Sequence, residues 1–254
     1  METKWMRNVP GAARILSGLA LVFATTFALA DDTITANRVA AIDKARADLL
    51  VGKWCSACHG YNGHSVNPIF PTLAGQSAEY LAAQLKFFHN LNQDDRKVTH
   101  ETYYEQWVTN ITGLRKKERY ENAPRNEVRA WDFMKGVARD LDEPTMQALG
   151  DYFAKQTPMA GRITDSHADV ARGKTLYLDG DANKGLLACQ MCHGPDAKGQ
   201  GPIPRLAGQH ADYVLVQLRA IQSGIRNVEQ MQALIANLSD ADFAAVAAYV
   251  QSLN

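Results

Sequence analysis

The chain has 254 residues, enough for one large domain or two of ordinary size. With 46% hydrophobic and 21% charged residues it reads as a globular protein free of low-complexity sequence. Its 27 basic and 27 acidic residues cancel, and removing residues 1–30 would leave 24 and 26, a slightly acidic balance that argues against nucleic acid as a partner.

The first element in chain order is a targeting segment. Lys4, Arg7 and Arg14 precede the apolar run Ile15–Ala30, which ends in Ala28-Leu29-Ala30 just before Asp31-Asp32. This is the layout of a secretory signal peptide over residues 1–30. The alternative is an uncleaved anchor, but 16 apolar positions are few for a span and Thr25 and Thr26 weaken the run. Either way the remainder is expected outside the cytoplasm, and no later segment is apolar enough to cross a membrane.

Helical spacing then recurs along the chain. It fits "ANRVAAIDKARADLL" (36–50), "SAEYLAAQLKFFHN" (77–90) and "ADYVLVQLRAIQ" (211–222). A helix is expected after Asp142, an N-cap residue with Pro144 in the first turn, and another after Ser239, where Leu238, Phe243, Val246, Val250 and Leu253 recur at helical steps. No alternating strand pattern is found, so the predicted fold class is all-α.

The chain also repeats itself. "FPTLAGQSAEYLAAQL" from Phe70 parallels "IPRLAGQHADYVLVQL" from Ile203, with Tyr80 matching Tyr213 and Gln84 matching Gln217. "VARDLDEPTMQALGDYFAKQ" from Val137 parallels "LIANLSDADFAAVAAYVQSL" from Leu234. The expected organisation is a first domain over 31–157, a linker over 158–165 where Pro158 and Gly161 break the helix, and a second domain over 166–254. The first copy carries an insertion of 36 residues, about 92–129, with Tyr103, Tyr104, Trp107 and a basic stretch "LRKKERYENAPR". An insertion of that length is either a docking surface or a helical flap over its own domain.

All four cysteines fall in two CxxCH units: Cys55, Cys58, His59 and Cys189, Cys192, His193. A structural zinc site needs four converging ligands, yet these units belong to separate repeats. A thioredoxin-like dithiol would follow a strand in a βαβ pattern, which is absent. Plain disulfides give no reason for the histidine after each second cysteine. Covalent haem accounts for every position: both cysteines form thioethers to the porphyrin, and the histidine becomes the proximal iron ligand.

The repeat also selects a sixth ligand. A shift of 97 positions, which aligns the final helices, places Met231 on Met134. Met146 falls instead on the core position Phe243, Met159 lies in the linker and Met191 lies inside a CxxCH unit. Met134 and Met231 are therefore the expected distal ligands. Of the remaining histidines (His64, His89, His100, His167 and His210), most are expected to be solvated, and His89 and His100 are the rivals to Met134. Pro71 follows His59 by 12 positions and Pro204 follows His193 by 11. A carbonyl from each rigid Pro-x-Leu loop is the expected acceptor for the histidine's other ring N–H.

On both CxxCHG units, the two Leu-Ala-Gly-Gln segments and the methionine upstream of the last helix, the chain resembles the class I cytochromes c, specifically the dihaem cytochrome c4 family. The resemblance covers about residues 36–91 and 130–254. The insertion lies outside the family's usual pattern. So do Ala47 and Val51, which stand where Gly173 and Tyr177 keep the usual glycine and aromatic of the first helix. The resemblance implies two covalently bound haem c groups and two tandem class I cytochrome c domains packed about a pseudo-twofold axis. It further implies a periplasmic location, in places held at the inner-membrane surface. The function it implies is single-electron transfer between redox partner proteins: a membrane respiratory complex, a terminal oxidase or small periplasmic carriers. Two other readings are a haem subunit of a respiratory complex and a dihaem oxidoreductase with a substrate-accessible first haem.

Overall fold

The computed structural model describes residues 40–94, 133–164, 166–223, 226 and 228–254. The expected signal peptide, and the insertion from residue 95 to 129, lie outside the described residues. By compactness the chain divides into Met1–Ala45 and Arg46–Asn254. Of the first unit, residues 40–45 are described and are helical.

Helix α1 (40–50) runs into a π-helical turn, Val51–Cys55, and then α2 (Ser56–His59). A 3₁₀ turn at Tyr61–Gly63 leads to α3 (Ala78–Asp94), α4 (133–138) and α5 (Glu143–Ala154). The second half repeats the order of helices with α6 (His167–Leu178), α7 (Gln190–His193), α8 (Ala211–Gln222), α9 (Glu229–Ile235) and α10 (Asp240–Ser252), but its 3₁₀ turn, Ala182–Lys184, comes before the motif helix rather than after it. Among the described residues there are no named strands, only the isolated bridges Asp181–Leu186 and Gln200–Ile203. No single described helix is long and apolar enough to cross a membrane.

Local chemistry sets these ends. Asp142 accepts the Thr145 N–H at 3.0 Å as the N-cap of α5, with Pro144 in the first turn. Ser239 and Asp242 form a reciprocal capping box at the start of α10. Ser166 caps α6, its side chain accepting the Asp169 N–H.

Each half has its own core. In the first, Ala47, Val51, Leu81, Leu141, Met146, Leu149 and Phe153 are buried together. In the second, Leu176, Tyr177, Val214, Leu218, Phe243, Val246 and Val250 do the same. Met146 is thus packing, as its match to Phe243 suggests. The halves differ just before the cysteine motif. Val51 lies four positions before Cys55, whereas its counterpart Tyr177 lies twelve before Cys189. The extra residues form the turn around Ala182–Lys184, closed by the Asp181–Leu186 bridge.

Polar side chains join the halves. Arg226 donates to the Tyr80 hydroxyl at 2.6 Å and to Gln84 at 3.2 Å in the first half, and to Gln217 at 2.7 Å in the second. Tyr213 lies beside the same guanidinium, and burial pushes its phenol pKa upward. A single arginine therefore grips both members of the two repeated pairs, Tyr80 with Tyr213 and Gln84 with Gln217.

Candidate haem-attachment sites

In both halves the two cysteines lie at the start of, and within, the short helix that ends in the histidine. One helical turn brings the second cysteine and the histidine, three and four positions on, round to the face of the first cysteine. Gly60 and Gly194 end these helices with φ of 73° and 77°, a conformation that favours glycine. A Cβ at Gly60 would also lie 2.1 Å from the His64 carbonyl oxygen. In the second half the Tyr177 hydroxyl donates to the Gly194 carbonyl at 2.7 Å and pins the end of the motif. Val51 cannot do this in the first half.

Both histidines are buried, at 6% exposure each. His59 Nδ1 donates to the Pro71 carbonyl at 2.9 Å, and His193 Nδ1 donates to the Pro204 carbonyl at 3.0 Å. Burial lowers the pKa of both rings and the proline carbonyls oppose the shift. Each ring is thereby held as the neutral Nδ1–H tautomer, and among the described residues neither Nε2 has a hydrogen-bond partner. That is the state an imidazole needs to coordinate iron.

No disulfide joins the four cysteines. Burial pushes Cys55 and Cys189 up to about 11 each, with a nearby second cysteine adding to the rise. Reactive dithiols have lowered thiol pKa values, whereas burial of Cys55 and Cys189 works the other way. Among the described residues no three His, Cys, Asp or Glu side chains cluster as a metal-ion site, so the two motifs do not converge on one shared zinc. The donor set fits haem c: two thiols for thioethers and one oriented, neutral imidazole, twice over.

Met134 lies in α4 and Met231 in α9, both partly buried, and Met231 packs against the second core. The two helices end at equivalent positions, 138 and 235, under the same 97-residue shift. Of the rival ligands, His89 Nδ1 is engaged by the Ala138 carbonyl at 3.0 Å, which ties α3 to the end of α4. His100 lies outside the described residues. Most of the other histidines are expected to be solvated; His210 is an exception, fully buried at 0% exposure. Its Nε2 donates to the Ser65 carbonyl at 2.9 Å and its Nδ1 accepts from Arg162 at 2.7 Å. Burial there arises where the halves meet, which no local pattern reveals.

Two halves of helices, each presenting a CxxCH turn with a proline-anchored histidine, define a c-type cytochrome with two haem-attachment sites. The cytochrome c family pattern matches residues 170–254. A cytochrome c-552 of Acidithiobacillus ferridurans is 33% identical over 210 residues, 82% of this chain and 77% of that protein. A cytochrome c4 of Azotobacter vinelandii is 32% identical over 206 residues, 79% of this chain and 84% of that protein. The solved structure of cytochrome c4 from Acidithiobacillus ferrooxidans superposes with a TM-score of 0.60 at 33% identity, covering 78% of this chain and 98% of that one. A protein of Thiomonas intermedia named thiosulfate dehydrogenase electron acceptor is 32% identical over 204 residues, 77% of this chain and 76% of that protein. The chain belongs to the cytochrome c4 family. It is an electron-transfer cytochrome with two class I cytochrome c folds and covalently bound haem c at Cys55/Cys58 and Cys189/Cys192.

Proposed function

We propose that this chain works in the periplasm, after removal of residues 1–30, as a two-site relay between a respiratory donor and a terminal oxidase or other acceptor. Its domains in this reading are 31–157 and 166–254, joined by 158–165. The axial pairs are His59 with Met134 and His193 with Met231. Haem iron supplies one-electron chemistry between its ferric and ferrous states. The chain's own residues do the rest. The Pro71 and Pro204 carbonyls fix the imidazole tautomers, the cysteines tether the porphyrin, and the joint around Arg226 keeps the two sites at a constant separation. The observation that carries the reading is the duplication of the anchored histidine, with equal geometry in both halves: a carrier needs two closed, comparable sites, whereas a catalytic site has to differ from its partner.

The Thiomonas relative's name supports a second reading, in which the donor is a sulfur-oxidising enzyme and this chain is its dedicated acceptor or subunit. The insertion at 92–129 would then be the docking element. A further variant of that reading gives the first haem an exchangeable sixth ligand and an oxidoreductase role.

Absorption spectra with ligand challenge separate these. A relay with His/Met ligation shows the weak far-red methionine–iron band in the ferric state, leaves carbon monoxide unbound in the ferrous state, and loses half the band in Met134→Ala and half in Met231→Ala. Ready carbon monoxide binding by the native first haem would overturn the relay reading for that half. Loss of tight binding to one enzyme on deletion of 92–129, with both haem spectra intact, would favour the dedicated-subunit reading.

A further inference from the structure

Each half holds the peptide group that anchors the other half's histidine. The Pro71 carbonyl that accepts from His59 belongs to the same peptide as the Thr72 N–H, and that N–H donates to Gln209 Oε1 at 2.9 Å. The Pro204 carbonyl that accepts from His193 shares its peptide with the Arg205 N–H, which donates to Gln76 Oε1 at 2.7 Å. Each glutamine closes a ring by donating Nε2 to the same residue's carbonyl: Gln209 to Thr72 at 3.1 Å and Gln76 to Arg205 at 2.9 Å. Each Oε1 also accepts one local amide, His210 N–H for Gln209 at 3.1 Å and Ser77 N–H for Gln76 at 3.0 Å. The glutamines are 5% and 6% exposed, so bulk water competes little for these bonds.

We infer that Gln76 and Gln209 are crossed positioning residues: Gln209 tunes the haem bound through His59, and Gln76 tunes the haem bound through His193. The inference rests on the proposed axial role of the two histidines. A peptide group is polarisable, and an acceptor at its N–H deepens the negative charge on its oxygen. A more negative Pro71 oxygen draws harder on the Nδ1 proton of His59 and makes that imidazole a more electron-rich ligand, which favours ferric over ferrous iron. Gln209 therefore lowers the potential of the first haem, and Gln76 that of the second. The leucine-alanine-glycine-glutamine repeat then serves as more than a turn. It makes the potential of each site depend on the docking of the other half.

The test uses the full-length protein with both haems attached. Gln209→Met and Gln76→Met remove the acceptor and nearly preserve side-chain length. Potentials are read by redox titration with each haem assigned by NMR, and the Nδ1–H resonances of His59 and His193 are followed alongside. Gln209→Met is expected to raise the first haem's potential and move the His59 Nδ1–H signal, leaving the second haem near its native value. Gln76→Met is expected to do the reverse. Gln209→Glu keeps an oxygen facing the Thr72 N–H in either protonation state, so it should return the first potential to the native value or below. A shift in the substituted half's own haem, an equal shift in both, or no shift with native ligation overturns the inference. So does a Glu variant that shifts upward like the Met variant. The axial reading is tested separately by His59→Ala: a native low-spin first haem in that variant would overturn the ligand assignment, whichever way the glutamine variants behave.

Discussion

His210 Nε2 donates to the Ser65 carbonyl across 2.9 Å, although 145 positions separate the two residues and both are fully buried. With Arg162 donating to Nδ1 at 2.7 Å, the ring is held neutral, one nitrogen giving and the other accepting. Burial depresses its pKa, the Ser65 carbonyl opposes that, Arg162 adds to the depression and Asp212 opposes it. A folded-state pKa below the unfolded value means that the unfolded chain takes up the proton first. The contribution to stability is therefore present above about pH 6.5 and is lost as pH falls below it. His210→Gln can keep one donor and one acceptor but cannot titrate. Urea unfolding of the holoprotein between pH 7.5 and 5 should show a smaller acid loss in that variant than in the native chain. Parallel pH dependences would refute the assignment.

Much of each half could be read without the fold, because its determinants are local. The cysteine motifs, the anchoring prolines 11 or 12 positions later and the capped helices α5 and α10 all lie within short windows of sequence. The proposal of Met134 as a distal ligand rests on a longer comparison, which the duplication supplies. What escaped is everything whose partner lies in the other copy. Gln76, Gln209, Tyr80 and Gln84 were visible as repeated letters. Their roles depend on Arg205, Thr72 and Arg226, which docking brings together from 129 to 146 positions away. The burial of His210 is hidden for the same reason: its counterpart is Ser77, so nothing in the repeat marks it as buried.

Arg226 is the natural point at which to loosen that docking. Its guanidinium bonds Tyr80, Gln84 and Gln217. Arg226→Met keeps much of the aliphatic stem and leaves three buried or half-buried polar groups without their partner. A loss of about 2–4 kcal/mol is expected, read as a lowered denaturation midpoint with the haem spectra unchanged below the transition. A variant as stable as the native chain would mean that water or another group replaces the guanidinium.

The two copies spend one buried position differently. Asp242 is fully buried and paired with Arg172 and Lys184, besides accepting from Ser239 Oγ at 2.6 Å. Burial raises its pKa, but the bonds from Lys184 and Ser239 outweigh that and hold the carboxyl well below the usual range. Its contribution is present above about pH 4 and is lost as pH falls further. Asp242→Asn is expected to cost about 2–3 kcal/mol at neutral pH, tempered because both cations are partly exposed. The matching residue in the first half is Thr145, whose buried Oγ1 makes no well-formed hydrogen bond among the described residues, though it lies near enough to the Asp142 carboxylate to help hold that group's pKa down. Thr145→Val should be close to neutral, since the hydroxyl it replaces with a methyl group of similar size makes at best a poorly aligned contact with Asp142. Thermal unfolding of both variants checks the pair, and a destabilised Thr145→Val would show that the hydroxyl finds a partner after all.

Gly173 marks a close helix approach in the second half. A Cβ there would lie 1.9 Å from the Ala245 carbonyl oxygen and 2.9 Å from Tyr249 Cβ, so α6 can rest on α10 only because the position is bare. The first half has the buried Ala47 at the equivalent position and keeps its close approach elsewhere: at Gly150 of α5, a Cβ would stand 2.5 Å from the Ala78 carbonyl oxygen at the start of α3. The departure from the family pattern at Ala47 is thus accompanied by a different bare position in the same half. Gly173→Ala and Gly150→Ala should each destabilise by about 1–3 kcal/mol or more, because backbone rather than a flexible side chain must move. Ala47→Gly should cost about 1 kcal/mol from helix propensity, with the loss of a buried core methyl adding to it. Chemical unfolding of the three variants decides the matter. If Ala47→Gly stabilises the protein, α1 is held away from its neighbour by that methyl group, and the first half is a strained copy of the second.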